Sequence, residues 1–193
     1  MTIAVLPGLP HSAEAARRIR EAGKDVILHQ PMESLGGRNP GPGALFTGMN
    51  EAEIRVIVNT NLDEVWPVSG MNNHEGSRVT MDSEIMEIVL DICRERGIVF
   101  IDSKTIAGSA VPATASRKGM QIIERDVFLD NEPDRDSILY YAGQGFAVAE
   151  KKGISVMIGH AHTAELAIIL NEIYQQLPPG FTLSTVSGIS GGE

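Results

Sequence analysis

Apolar positions along the chain fall into two rhythms. Short runs rich in β-branched residues, at 2–6, 25–29, 67–71, 97–101, 121–127, 154–159 and 182–187, are continuous enough to predict seven strands covered on both faces. Between them apolar side chains recur at steps of three and four, as in Ile54, Ile57, Val58, Leu62 and Val65, or Leu166, Ile169, Leu170, Ile173 and Leu177. That spacing gathers them on one face of a helix. The predicted helix ends carry matching punctuation. Asn50 followed by Glu53 predicts a capping box, Ser12 can cap a helix that stops at Gly23, and Pro133 suits a first helical turn. Strand followed by helix, repeated, predicts an α/β fold with a parallel sheet and right-handed crossovers, as one domain over residues 1–193. A barrel and an open doubly wound sheet both satisfy this pattern.

The loops narrow the choice of ligand. A dinucleotide-binding sheet needs three glycines at fixed offsets after its first strand, and "LPGLPH" has one. No Gly-x-x-x-x-Gly-Lys-Ser/Thr sequence for a nucleoside triphosphate is present either. The residues "MESLGGRNPGPGALFTGM" (32–49) hold too much glycine and proline for a helix; they predict a lid or rim with Arg38, Asn39 and Phe46 turned to substrate, the alternative being a disordered insertion.

Composition removes further classes. The formal net charge of −9, with lysine and arginine scattered, gives no basic stripe, so nucleic acid is not an expected partner. No apolar run approaches the length of a membrane span. The lone Cys93 shares helical spacing with Ile85, Ile88, Val89 and Ile92, which predicts a core thiol rather than a nucleophile. Trp66, before Pro67, is likewise expected in the core.

Candidate chemistry collects where parallel α/β folds place function, at the carboxyl ends of strands. His29 ends "VILH", His74 follows "SGMNN", Asp102 ends "VFID", Asp126 and Asp130 lie in and after "IIERDV", and His160 ends "VMIGH". A concave site lined by histidines and carboxylates is expected there. Two neutral imidazoles and a carboxylate, with one position left open, suit a catalytic zinc or a similar divalent ion. Such an ion, a carboxylate base and a histidine acid together predict hydrolysis of an amide or ester. Each residue also has a plainer reading. His29 fits a core histidine satisfied by backbone, Asp102 a cap for the following segment, Asp130 and Asn131 a helix entrance before Pro133, and Arg125 a surface partner of Asp126.

The stretches "IAVLPGLPHSAEAARRIREAGKDVILHQPME", "NPGPGALFTGM", "NNHEGS", "FIDSKT", "RDVFLDN" and "IGHAH" together resemble the divergent polysaccharide deacetylases, relatives of metal-dependent carbohydrate esterases. The resemblance runs through nearly the whole chain. It implies a distorted parallel βα barrel, a divalent metal such as zinc, a carbohydrate partner and a periplasmic or extracellular location. It implies His29 and His74 as metal ligands, His160 as general acid and Asp126 as an acid orienting His160 or the substrate; Asn73, Arg125, Asp102 and Asp130 are expected as substrate contacts. It also implies a strand ending in an aspartate pair, serving as third ligand and base, ahead of Thr2. Met1 stands directly before that pattern's second strand. A truncated chain is the expectation, the alternative being a short form without those carboxylates. The function implied is removal of acetyl groups from an amino-sugar polymer or glycan; the alternative is a non-catalytic envelope or glycan-binding protein that keeps the barrel.

Overall fold

The computed structural model describes residues 1–190. They divide into two compact units, the first comprising residues 1–123 with the carboxyl-terminal stretch from Ser184, the second Glu124–Leu183.

In the first unit the order is β1 (Thr2–Val5), α1 (Ser12–Glu21), β2 (Asp25–Met32), α2 (Glu51–Val65), β3 (Gly70–Glu75), α3 (Ser83–Arg96), β4 (Val99–Asp102) and α4 (Val111–Arg117). The strand β5 (Ile123–Glu124) follows. These five strands form one sheet in the order β1-β2-β3-β4-β5, and the β1–β2, β2–β3 and β3–β4 pairs are parallel. A strand order that never reverses is that of a singly wound βα barrel, whereas a doubly wound sheet turns back at a switch point. The fold is therefore α/β of the distorted parallel βα barrel kind.

Alternation along the strands separates two faces. Val26, Leu28 and Met32 of β2, Met71 of β3 and Phe100 of β4 share a core with Ile54, Val58 and Leu62 of α2 and Ile85, Val89 and Leu90 of α3. Phe100 is 1% exposed, and burying a side chain of that size contributes roughly 1.5–3 kcal/mol. The intervening residues Ile27 and His29, Asn72 and His74, and Ile101 point to the opposite face. Cys93 is buried in α3 as expected, and burial pushes its thiol pKa up.

Local signals explain several boundaries. Asn50 Oδ1 accepts from the Glu53 amide at 3.0 Å while the Glu53 carboxylate accepts from the Asn50 amide at 2.8 Å, the expected capping box on α2. The Asp82 carboxylate caps α3, which ends at Gly97 in the left-handed region, φ 65°. Other expectations need correction. His11, not Ser12, is the cap residue of α1; the Ser12 hydroxyl oxygen instead accepts from the Leu9 amide at 3.1 Å. Trp66 is 42% exposed and carries the Arg96 guanidinium over its ring at 4.7 Å, so it is not a core residue. Residues 182–187 form no strand. The short helix α7 (Val186–Ser190) begins there, its first amides donating to Thr2 Oγ1 at 2.8 Å and Asp25 Oδ2 at 3.0 Å.

The stretch 32–49 is an ordered rim rather than a disordered insertion. Leu45, fully buried, pairs with Met32, exchanging backbone hydrogen bonds with Pro31 and Glu33 at 2.9 and 2.8 Å. Buried Gln30 donates to the Gly43 carbonyl at 2.9 Å, and Asn61 of α2 donates to both that carbonyl and Gln30 Oε1 at 2.8 Å. Arg38, Asn39 and Phe46 remain exposed.

The second unit holds β6 (Val127–Phe128), α5 (Arg135–Lys152), β7 (Met157–Ile158) and α6 (Ala164–Gln175). β6 and β7 pair in parallel, and Leu129, Ile138, Ala142, Leu166 and Ile169 make a small core. Asp134 caps α5 by accepting from the Ser137 amide, so Pro133 stands one residue before the cap instead of in the first turn. Among the described residues no helix is long and apolar enough to cross a membrane.

Candidate functional site

The polar run that begins at Gly70 is strand, not the loop after it. β3 starts at Gly70 and ends at Glu75, later than the apolar run at 67–71 predicts. A Cβ on Gly70 would lie 2.9 Å from the Val99 carbonyl, so this position needs glycine for close strand approach. Gly76, at φ 85°, makes the turn that follows.

Strand register then assembles the histidines. His29 of β2 is level with Asn72 of β3, and Pro31 with His74, so His29, Asn72 and His74 share a face. His29 Nδ1 lies 2.8 Å from Asn72 Oδ1, and His29 Nε2 lies 3.0 Å from His74 Nδ1. The two rings meet edge to face, 4.7 Å between centroids at 63°. Both are half-buried. Behind them, Asn72 Nδ2 donates to Ser103 Oγ at 3.2 Å.

This donor set fits a divalent ion as far as it goes. Two imidazole nitrogens from different rings converge within 3.0 Å, short enough for both to bind one ion at the usual Zn–N length of about 2.0–2.1 Å. His29 turns its other nitrogen to an amide oxygen, the outer arrangement that metal-bound histidines ordinarily have. Among the described residues no third histidine, cysteine or carboxylate completes the group.

The neighbouring polar residues hold the scaffold. Asn73, 1% exposed, points to the other face, where its Oδ1 accepts from the Ser103 amide at 2.9 Å and its Nδ2 donates to the Glu75 carbonyl at 2.9 Å. Asp102, wholly buried, uses both carboxylate oxygens in its own loop, accepting from the Lys104 amide at 2.8 Å and the Ser109 hydroxyl at 2.7 Å. Of the two roles its sequence leaves open, the capping one is present.

In the second unit the carboxylate bonded to His160 is that of Asp130. His160 Nδ1 is 3.1 Å from Asp130 Oδ1, and Asp130 Oδ2 accepts from the His160 amide at 2.8 Å and the Thr163 hydroxyl at 2.6 Å. Burial alone would push the Asp130 carboxyl up. The bonds from Thr163 and His160 outweigh it and hold the pKa below the ordinary aspartate value. Asp130, expected against substrate, is thus spent on His160. Asp126 is held by Lys152 Nζ at 2.6 Å and the Val156 amide at 2.9 Å. Arg125 lies over the Phe128 ring at 3.9 Å, and the imidazole of His160 stacks with that ring, 5.9 Å between centroids at 10°. The signal for Asp130 is register. Phe128 pairs with Ile158, so the residues two further on, Asp130 and His160, fall level, as Asp126 does with Val156.

A cleft of about 370 Å³ lies elsewhere, lined by Ser69, Ile98, Val99, Gln121, Ile122 and Ile189. Ser69, Ile98 and Val99 place it at the amino ends of β3 and β4, away from the histidines.

The family model of the divergent polysaccharide deacetylases matches residues 1–189. The chain belongs to that family. Among its relatives, the uncharacterized protein YibQ of Escherichia coli K12 is 30% identical over 189 residues, covering 98% of this chain and 59% of its own length. An uncharacterized protein of Haemophilus influenzae is 28% identical over 169 residues, 88% of this chain and 60% of its own. The chain therefore spans about three fifths of the length of the curated relatives it matches. The crystal structure of uncharacterized protein ATU2773 from Agrobacterium tumefaciens has the same fold, with a TM-score of 0.85 and 22% identity over 98% of this chain and 78% of that one.

Proposed function

We propose that the protein is a divalent-metal hydrolase that removes acetyl groups from an amino-sugar polymer or glycan, with His29 and His74 as ligands of a zinc-like ion. The observation that carries this reading is the 3.0 Å convergence of His29 Nε2 and His74 Nδ1, backed by Asn72, in a chain of this family. When bound, the ion supplies Lewis acidity, making water acidic enough to attack a carbonyl near neutral pH.

The chain's own residues do the rest. His29 and His74 would hold the ion through ring nitrogens on a half-buried face, where water competes less for it. In the proposed reaction His160 hands the Nε2 proton of its imidazolium to the departing amine or alkoxide, while Asp130 stays ionised and accepts the hydrogen bond of the Nδ1–H. Its place in the same reaction rests on the family. The rim at 32–49, with Arg38, Asn39 and Phe46 exposed, offers hydrogen bonds and an aromatic face to a saccharide. A periplasmic or extracellular location belongs to the same proposal.

The test uses the full-length protein with zinc and an acetylated chito-oligosaccharide. Stoichiometric zinc that is lost in a folded His74→Ala variant, together with acetate release by the wild type, supports the reading. Zinc in neither protein overturns the metal, and saccharide binding without acetate release from any acetylated glycan leaves the non-catalytic alternative.

A further inference from the structure

The hydrogen bonds behind His29 have one direction only. They start from a group that cannot donate, the Asn73 backbone carbonyl, which lies 3.0 Å from Ser103 Oγ. The Ser103 hydroxyl proton is given to it. The Ser103 backbone is held by Asn73 Oδ1, which accepts from its amide at 2.9 Å, and the residue is 4% exposed. The atom facing Ser103 Oγ from Asn72, at 3.2 Å, must therefore donate, which makes it the amide NH₂. A flipped amide would set carbonyl oxygen against a hydroxyl oxygen whose proton is already engaged, inside a pocket where Asn72 is 3% exposed.

With the NH₂ fixed on Ser103, Asn72 Oδ1 is fixed on His29 Nδ1 at 2.8 Å. An amide oxygen only accepts. His29 Nδ1 must carry the proton, and in the neutral ring Nε2 is left with the lone pair. Nε2 is the atom 3.0 Å from His74 Nδ1.

We infer that Ser103 and Asn72 are positioning residues that hold neutral His29 as its Nδ1–H tautomer, presenting the Nε2 lone pair at the place it shares with His74 Nδ1. The consequence for chemistry is that His29 receives there, from a cation or from the His74 N–H, and does not serve as a proton donor. The inference deepens the metal reading for this site and rests on it for its functional meaning.

The experiment reads His29 directly, by ¹H–¹⁵N correlation of the imidazole nitrogens in metal-free protein at alkaline pH, where the ring is neutral. A pyrrole-type Nδ1 and a pyridine-type Nε2 are expected in the wild type. Ser103→Ala and Asn72→Leu should each convert His29 to mixed tautomers and weaken zinc binding, measured by calorimetry, by about 10–100-fold. Ser103→Thr, which restores a hydroxyl, should keep the wild-type tautomer. An Nε2–H ring in the wild type, or a tautomer unchanged in both Ser103→Ala and Asn72→Leu with the backbone spectrum intact, overturns the inference. A tautomer that shifts as expected in a protein that binds no zinc upholds the inference and overturns the metal reading instead.

Discussion

His160 and Asp130 form the best-prepared acid–base pair in the second unit: the imidazole Nδ1 lies 3.1 Å from a carboxylate whose side chain is 1% exposed, while the imidazole itself is half open to solvent. A carboxylate behind a histidine fixes which ring nitrogen bears the working lone pair or proton, as in the hydrolase triads. His160→Ala is expected to lower acetate release on the order of 10²–10⁴-fold, the range for loss of a general acid. Asp130→Asn should shift the His160 ring resonances in an NMR titration, and Asp126→Asn should leave them in place. The reverse pattern would return the orienting role to Asp126.

The same bonds make stability depend on acid. Asp130 has a depressed folded-state pKa, and so does Asp25, where burial is outweighed by the Ser187 amide and the Ser69, Thr2 and Ser187 hydroxyls. For a depressed aspartate the contribution is fully present above the unfolded value of 3.8 and disappears as pH falls through the folded value. The wild type should therefore hold its urea midpoint across neutral pH and lose it below about pH 4. Asp130→Asn and Asp25→Asn should each be less stable at pH 7 and show a shallower decline in acid. A decline as steep as that of the wild type in both variants would count against these two bonds as the source.

Cys93 offers a check on the first unit's core. Its side chain is completely buried in α3 among Ile85, Val89, Leu90 and Ile92, and burial raises its pKa. A thiol reagent such as dithionitrobenzoate should leave native protein unmodified at pH 8 and titrate one thiol once urea unfolds it. Rapid labelling of the native protein would contradict this packing.

The sequence exposed those features whose causes are local. The capping box on α2 depends on Asn50 and Glu53 alone, and Cys93 declares its burial by its spacing in α3. His29 and His74 were legible as a pair because both follow apolar runs, although β2 continues past His29 to Met32, and the register of β2 on β3 brings them together. What escaped depends on distant partners. Residues 182–187 look like a strand because threonine, serine and valine favour one, yet helix α7 starts there on groups supplied by Thr2 and Asp25. β3 extends through polar residues because the sheet face away from the helices accepts hydrogen-bonded asparagine and histidine, which hydropathy alone does not announce. Asp130 was visible as a carboxylate near a strand, but its partner is set by the pairing of Phe128 with Ile158, a fact of register rather than composition.

The stretch 32–49 meets α2 closely at one glycine. Gly43 has φ 66°, and a Cβ built on it would lie 2.4 Å from Asn61 Oδ1, the side chain that also bonds the Gly43 carbonyl and Gln30. Gly43→Ala forces either a left-handed non-glycine residue or a displaced Asn61, and the strained backbone alone costs roughly 1–3 kcal/mol. Displacing Asn61 would also remove a partner from Gln30, which is wholly buried. Gly37 has nearly the same φ of 66° with nothing within 4 Å of its Cβ, so Gly37→Ala isolates the backbone contribution. Urea denaturation should therefore place Gly43→Ala below Gly37→Ala and both below the wild type. Because Leu45 is tied to Pro31 and Glu33 on the strand that carries His29, Gly43→Ala should also lower saccharide affinity more than Gly37→Ala does. Equal midpoints for the two variants would show that Asn61 yields freely and that the rim does not depend on this contact.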